Sequence, residues 1–259
     1  MSSDVTAVFE VLCDHDELLG VLTDGPHTQR RLTDRTDASQ STVSRTLSRL
    51  RDLGVVSETD EGYELTLLGR FARRTYESAL EEFERVYAAE EILRDLTADV
   101  PLDPSLLEDA EVTVSKPHAP DAPLSPLLDL TREATTLRAA AAMIHAGYLG
   151  TFDDRMEHGD LEAEFVVTDA VAERSRDEYA DRDPIAPTTG RLDVYRTDVA
   201  LPYSLMLVET PDDAYAAVVV RGSSGTQGTI VTSNPEAREW ASERYRRIKS
   251  SADPWDPPA

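Results

Sequence analysis

The chain has 259 residues, which at ~150 residues per domain implies two modules rather than one large core. Its 40% hydrophobic content suits packed domains, and no apolar run nears the ~20 residues that a membrane-spanning helix needs. Fifty acids against 26 bases leave a net charge of −24, and only Lys116 and Lys249 are lysines, a balance expected of a protein adapted to molar salt, where the Debye length shrinks to ~3 Å.

At the N-terminus Asp4, Glu10, Asp14, Asp16 and Glu17 stand where a signal peptide would carry positive charge, so the expected location is cytoplasmic. Val5 to Leu22 places Val8, Phe9, Leu12, Leu19 and Leu22 at helical spacing and ends at Asp24-Gly25-Pro26. Cys13 falls inside this pattern and reads as a small core residue; as the one cysteine it excludes an internal disulfide. A short helix follows from Thr28 to Thr36, then a capping segment Asp37-Ala38-Ser39, then a helix with Val43, Leu47 and Leu50 on one face that stops at Gly54. Two runs, Val55–Thr59 and Tyr63–Thr66, flank Asp60-Glu61-Gly62 as a hairpin. Residues 25–51 hold Arg30, Arg31, Arg35, Arg45, Arg49 and Arg51 against Asp34 and Asp37 (6 − 2 = +4), the one basic island, and phosphate is the usual partner of such a cluster.

Helix, helix, helix and hairpin is the order of a winged helix-turn-helix. The segment Ala38 to Val56 resembles the recognition helix and first wing strand of archaeal and bacterial winged-helix regulators, with small polar residues before Val43, Arg45 and a leucine-rich face ending in Leu53-Gly54. Tyr63–Gly69 resembles the wing return, and the whole architecture resembles the archaeal methanogenesis-regulatory-protein type, a winged helix followed by a helical linker and an α/β effector domain. With Val43, Leu47 and Leu50 inward, Gln40, Ser41, Ser44, Arg45, Ser48 and Arg49 face outward. Short hydroxyl side chains let a helix sit deep in the major groove, and Gln40 and Arg45 are long enough for bidentate bonds to base edges. Ser39, Thr42, Arg30, Arg31 and Arg49 are phosphate candidates. The hairpin carries Glu58, Asp60, Glu61 and Glu64, so it either stays clear of DNA or meets it through bridging cations.

From Thr66 to about Thr97 the chain lacks proline, and Leu68, Ala72, Tyr76, Ala79, Phe83, Val86 and Leu93 form a seam close to the 3.5-residue repeat of a coiled coil. A homodimer held by this helix is expected, since helix-turn-helix dimers read half-sites about one helical turn apart. Asp99–Pro104 is the boundary to a second module that alternates elements: a strand at Glu111–Ser115, one or two helices over Leu127–Tyr148, a strand at Ala163–Thr168 and a helix at Ala170–Ala180. Strands at Arg191–Arg196, Tyr203–Glu209, Ala214–Arg221 and Gly228–Thr232 precede a last helix, Pro235–Ser250. The expected fold is thus two-domain, α+β and α/β: a winged helix over 1–66, a linker and dimerisation helix over 67–98, and over 99–259 a mixed sheet covered by helices, serving as an effector-sensing domain.

The element order of that module resembles the phospholipase-D-like half-domain, but the His two residues before a Lys that this enzymology needs is missing: position 114 is Val and 247 is Arg. No nucleophile elbow, Walker loop or dinucleotide fingerprint appears, and Gly222–Gly228 lies between two strands, where it reads as a hairpin loop. The histidines His15, His27, His118, His145 and His158 share no i, i+3 or i, i+4 spacing, so no metal and no cofactor are expected, and no enzyme. A small-molecule effector would sit at the carboxyl ends of strands, near Ser115, Lys116, His118, Thr168 and Asp169, with His145, Tyr148 and Tyr203 as polar tips. The reading is a sequence-specific DNA-binding regulator acting as a repressor on double-stranded DNA. The alternative, favoured by the acidic hairpin, is an adaptor whose winged helix binds protein.

Overall fold

The computed structural model describes residues 3–159, 161–179, 191–222 and 225–255. They fall into two compact units, Met1–Glu84 and Arg85–Ala259.

In the N-terminal unit the expected first helix is two, α1 (Ser3–Asp14) and α2 (Asp16–Val21). The break is at His15, which leaves helical geometry at φ −134°, ψ 32°, with its Nε2 lying 3.3 Å from the Thr46 hydroxyl. Cys13 is exposed, correcting its expected place in the core: the inward face of α1 carries Val11 and Leu12 instead. Thr28 caps α3 (Gln29–Arg35) and Ser39 caps α4 (Gln40–Asp52), each hydroxyl accepting from the amide three residues on. Val43, Leu47 and Leu50 are fully buried, as their spacing predicts, and Gly54 at φ +72° ends the helix.

Strands β1 (Val56–Thr59) and β2 (Gly62–Leu65) form an antiparallel hairpin. His27 extends it by exchanging both backbone bonds with Tyr63 at 2.9 Å. Gly62, at φ +126°, is required there, since a Cβ would stand 2.4 Å from the His27 carbonyl oxygen. Helix α5 (Leu67–Ala88) follows, and the one apolar core of this unit joins Leu19, Leu22, Leu32, Leu47, Leu50, Val55 and Leu65.

The helix expected to run to Thr97 stops at Ala88. Ala89 turns the chain (φ −93°, ψ 5°), and α6 (Glu90–Arg94) buries Ile92 in the core of the C-terminal unit. Residue Gly228 makes room for it, because a Cβ there would lie 2.5 Å from the Ile92 side chain.

The C-terminal unit is one eight-stranded mixed sheet in the order β10-β6-β5-β4-β7-β8-β9-β3. Its strands are β3 (Glu111–Val114), β4 (Thr136–Ala141), β5 (Glu162–Thr168), β6 (Leu192–Thr197), β7 (Ser204–Glu209), β8 (Ala214–Arg221), β9 (Thr226–Thr232) and β10 (Asp253–Pro254). Strands β4, β5 and β6 pair in parallel; from β4 through β7, β8 and β9 to β3 all pairing is antiparallel. Helices α7 (Ser125–Glu133), α8 (Ala146–His158), α9 (Asp169–Tyr179) and α10 (Pro235–Lys249) complete it. The glycine-rich turn joins β8 to β9 as a hairpin, although its residues 223–224 lie outside the described ones.

The stretch Leu127–Tyr148, expected to be helical throughout, contains β4, a central strand of the sheet. Leu137 and Ala139 pack on one face, against Met156, Met206 and Val208, while Ala140 packs on the other with Val166, Leu205 and Tyr245. A strand covered on both faces has no polar alternation to betray it, and the intrinsic preference of three alanines for helix yields to this burial.

Candidate nucleic-acid interface

Helix α4 presents the surface that the spacing of its core residues predicts. Ser39, Gln40, Ser41, Ser44, Arg45, Ser48 and Arg49 are exposed and Thr42 is half-buried. The Ser39 hydroxyl accepts from the Thr42 amide at 3.2 Å and lies 3.0 Å and 2.9 Å from the Ser41 and Thr42 hydroxyls, so the start of α4 is a cluster of short polar side chains. The Gln29 amide, Nε2, donates to the Gln40 carbonyl at 3.5 Å and ties the first turn of α3 to the first turn of α4. Arg30 and Arg31 therefore project from a turn that adjoins the Gln40 end of α4.

The six arginines of the island divide into two sets. Arg35 pairs with Asp24 at 3.4 Å, Arg49 with Glu10 at 3.2 Å and Arg51 with Glu58 of the hairpin at 3.2 Å. Arg30 and Arg31 have no ion pair or side-chain hydrogen bond among the described residues, and Arg45 spends only its Nε, on the Ser41 carbonyl of its own helix. Sequence spacing did not disclose these partners, because Glu10, Asp24 and Glu58 come from other elements. The Arg51–Glu58 bond also shows where one hairpin carboxylate is directed: toward α4.

The residues named for an effector do not form one cluster. Ser115, Lys116 and His118 follow β3 at one edge of the sheet, whereas Thr168 ends β5 and Asp169 begins α9, with four strands between β3 and β5. At ~4.8 Å per strand that is roughly 24 Å. His145 caps α8, its Nδ1 accepting from the Gly147 amide, and its Nε2 lies 3.7 Å from Asp121 in the segment after His118. The Thr168 hydroxyl accepts from the Val171 amide at the start of α9, and Asp169 binds Arg196 of β6.

Two of the named tyrosines are spoken for. The Tyr148 hydroxyl meets that of Thr131 at 2.8 Å, and burial pushes its phenol up to about 12, the Thr131 bond working the other way. Tyr203 is buried at the head of β7 and donates to the Pro101 carbonyl at 2.9 Å; burial raises this phenol too. The sequence reading missed a polar cluster under α10: Glu164 accepts from Tyr245 at 2.9 Å and from Lys249, whose ammonium stands 4.5 Å from the Tyr195 ring centroid. Among the described residues no group of three or more His, Cys, Asp or Glu side chains is placed to hold a metal ion, and no helix is long and apolar enough to cross a membrane.

Comparison with known proteins bears on both units. The family described as "Methanogenesis regulatory protein FilR1, middle domain" matches residues 120–251, and the HVO_A0261 N-terminal domain family matches residues 6–88. No curated protein matches the chain. Among solved structures, TrmBL2, an archaeal chromatin protein, is similar over 96% of this chain and 99% of its own, at 12% identity and a TM-score of 0.43. Nuc, a phospholipase D family member from Salmonella typhimurium, is similar over 56% of this chain and 98% of its own, at 11% identity and a TM-score of 0.43.

Proposed function

We propose that this chain, which belongs to the family of the methanogenesis regulatory protein FilR1, is a DNA-binding transcription regulator whose N-terminal unit is a winged helix. The observation that carries the reading is the α3–α4 surface: three arginines without carboxylate partners, Arg30, Arg31 and Arg45, beside a row of short hydroxyl side chains, in a chain of net charge −24. Unpaired guanidinium groups fit phosphate and guanine edges, and the serines allow close approach to the groove floor. In this reading Gln40, Ser41, Ser44 and Arg45 face bases, and Arg30, Arg31, Ser39, Thr42 and Arg49 face phosphates.

The active form is a homodimer. Val5 and Phe9 of α1 and Leu67, Leu68, Phe71, Leu80 and Phe83 of α5 are exposed large apolar side chains within one unit, more than isolated surface residues account for. A second copy of the chain is the occupant that would also give a two-fold DNA site. The C-terminal unit senses a small effector, and the sign of control is repression: an effector that prefers one spacing of the two recognition helices shifts DNA affinity by that preference. No catalytic step is assigned to it.

The test is selection of bound fragments from total genomic DNA at low and at molar KCl, with Arg45→Ala alongside. A short two-fold symmetric site, enriched by the native chain and lost in the variant, is the expected result. No enrichment at either salt concentration would favour a protein-binding adaptor, the reading that the acidic hairpin residues Glu58, Asp60, Glu61 and Glu64 support.

A further inference from the structure

We propose that the N-terminal unit contains a binding site for a small oxyanion, a phosphate or a polycarboxylate, distinct from the α3–α4 surface. A cavity of about 250 Å³ lies between α5, the turn after α2 and the end of β2, and Arg70, Arg73 and Arg74 all line it, with Glu64, Glu77 and Leu22. The spacing explains the gathering. Positions 70, 73, 74 and 77 recur at i, i+3, i+4 and i+7 and so share one side of α5.

The three arginines are not equivalent. Arg73 is buried, its Nη1 donating to the Asp16 carbonyl at 3.1 Å and lying 3.5 Å from the Asp16 carboxylate, its Nη2 lying 2.8 Å from Glu77. Two carboxylates thus fix its guanidinium, yet its Nε is buried without a partner. Arg70 and Arg74 are exposed and have no ion pair among the described residues. Two arginines without ion-pair partners thus line the cavity with Glu64, while the third is engaged by Asp16 and Glu77.

Asp16 and Glu77 are spent on Arg73, which leaves the guanidinium donors of Arg70 and Arg74, and the Nε of Arg73, without a protein partner among the described residues. Two planar forks suit an oxyanion that offers two or more oxygens. The cavity is smaller than the ~300–1,000 Å³ of drug-sized pockets, so the occupant is small, and Glu64 and Glu77 in its wall exclude a polyanion backbone. Because both β2 and α5 contribute to the wall, occupancy would be felt where the hairpin meets the helix that follows it.

Calorimetric titration of the full chain, in KCl at fixed ionic strength, tests this with inorganic phosphate and with citrate as probes. Saturable binding of at least one probe is expected, weakened about tenfold in Arg70→Gln and in Arg74→Gln and abolished in the double variant, while Glu64→Gln, which removes the opposing charge, tightens it severalfold. Binding of phosphate alone assigns the site to phosphate compounds, and of citrate alone to carboxylates. The proposal is overturned if neither probe binds saturably, or if the double variant binds as the native chain does. Both ions stabilise proteins generally by exclusion from the surface, so a rise in Tm that survives in the double variant also counts against the site. The result is independent of whether the α3–α4 surface binds DNA.

Discussion

Arg45 projects from the second turn of α4 with most of its guanidinium free, whereas Arg49, four residues on, is engaged by Glu10. The two should behave differently. Arg45→Ala is expected to weaken binding to a selected operator about 10- to 100-fold, roughly 1–3 kcal/mol, while hardly changing binding to unrelated DNA. Arg30→Ala should weaken both about equally, as a phosphate contact does, and fluorescence titrations against the two DNAs distinguish the cases. A separate residue-scale expectation concerns His27, which is buried with neither ring nitrogen partnered. Removing a group that makes no hydrogen bond forfeits little, so His27→Phe should keep stability within ~1 kcal/mol of the native value or raise it. Thermal unfolding read by circular dichroism decides; a clear loss would mean the imidazole has a partner in solution.

Helix α5 is the element with the sharpest expected consequence. Phe71 and Phe83 stand on it well exposed, at 62% each. Changing both to Ser should halve the mass found by light scattering in molar KCl while leaving the N-terminal core intact, since neither belongs to it. An unchanged mass would place the dimer elsewhere, and one chain's mass in the native protein would remove the dimer altogether. Helix α4, whose apolar residues recur on one face, was legible from the sequence because water outside and core inside impose the period, and the β1–β2 hairpin because Asp60-Glu61-Gly62 marks its turn. The inner strand β4 was not legible, since both its faces are covered and Ala139–Ala141 carry no alternation. The break at Ala89 was equally hidden: beyond it Ile92 packs over Gly228, a residue far away in the sequence. For the same reason the outward residues of α4 could be named in advance but the carboxylates that neutralise Arg35, Arg49 and Arg51 could not.

At the scale of the whole molecule, pH and salt report on the two units separately. In the C-terminal unit burial pushes the Glu164 carboxyl up, but the bonds from Lys249 and Tyr245 outweigh it and the net direction is down from 4.5. Lys249 moves up from 10.5, chiefly through its bond to Glu164, against partial burial. A lowered carboxyl contributes stability that is present above its unfolded value and lost as pH falls through the folded one; a raised ammonium contributes stability present below its unfolded value and lost as pH climbs past the folded one. The pair is therefore fully effective between about pH 5 and pH 10. Glu164→Gln should lower Tm by a few degrees at pH 7, with the gap to the native protein closing below pH 4; melts across that range check it.

The N-terminal unit answers to salt through its self-paired arginines. Arg35, Arg49 and Arg51 already hold carboxylates as internal counterions, so a phosphate that engages one of them must displace Asp24, Glu10 or Glu58 and releases less bound salt than a free arginine would. With about −0.9 in the logarithmic salt slope for each fully released charge, the slope per protomer should lie nearer three charges than six, as titrations at several KCl concentrations would reveal. Ion pairs of this exposed kind also weaken as salt rises, so the competing carboxylates loosen under the same conditions that loosen DNA. Affinity for an operator would then fall less steeply with salt than if all six arginines were free, a damping written into three pairs of side chains.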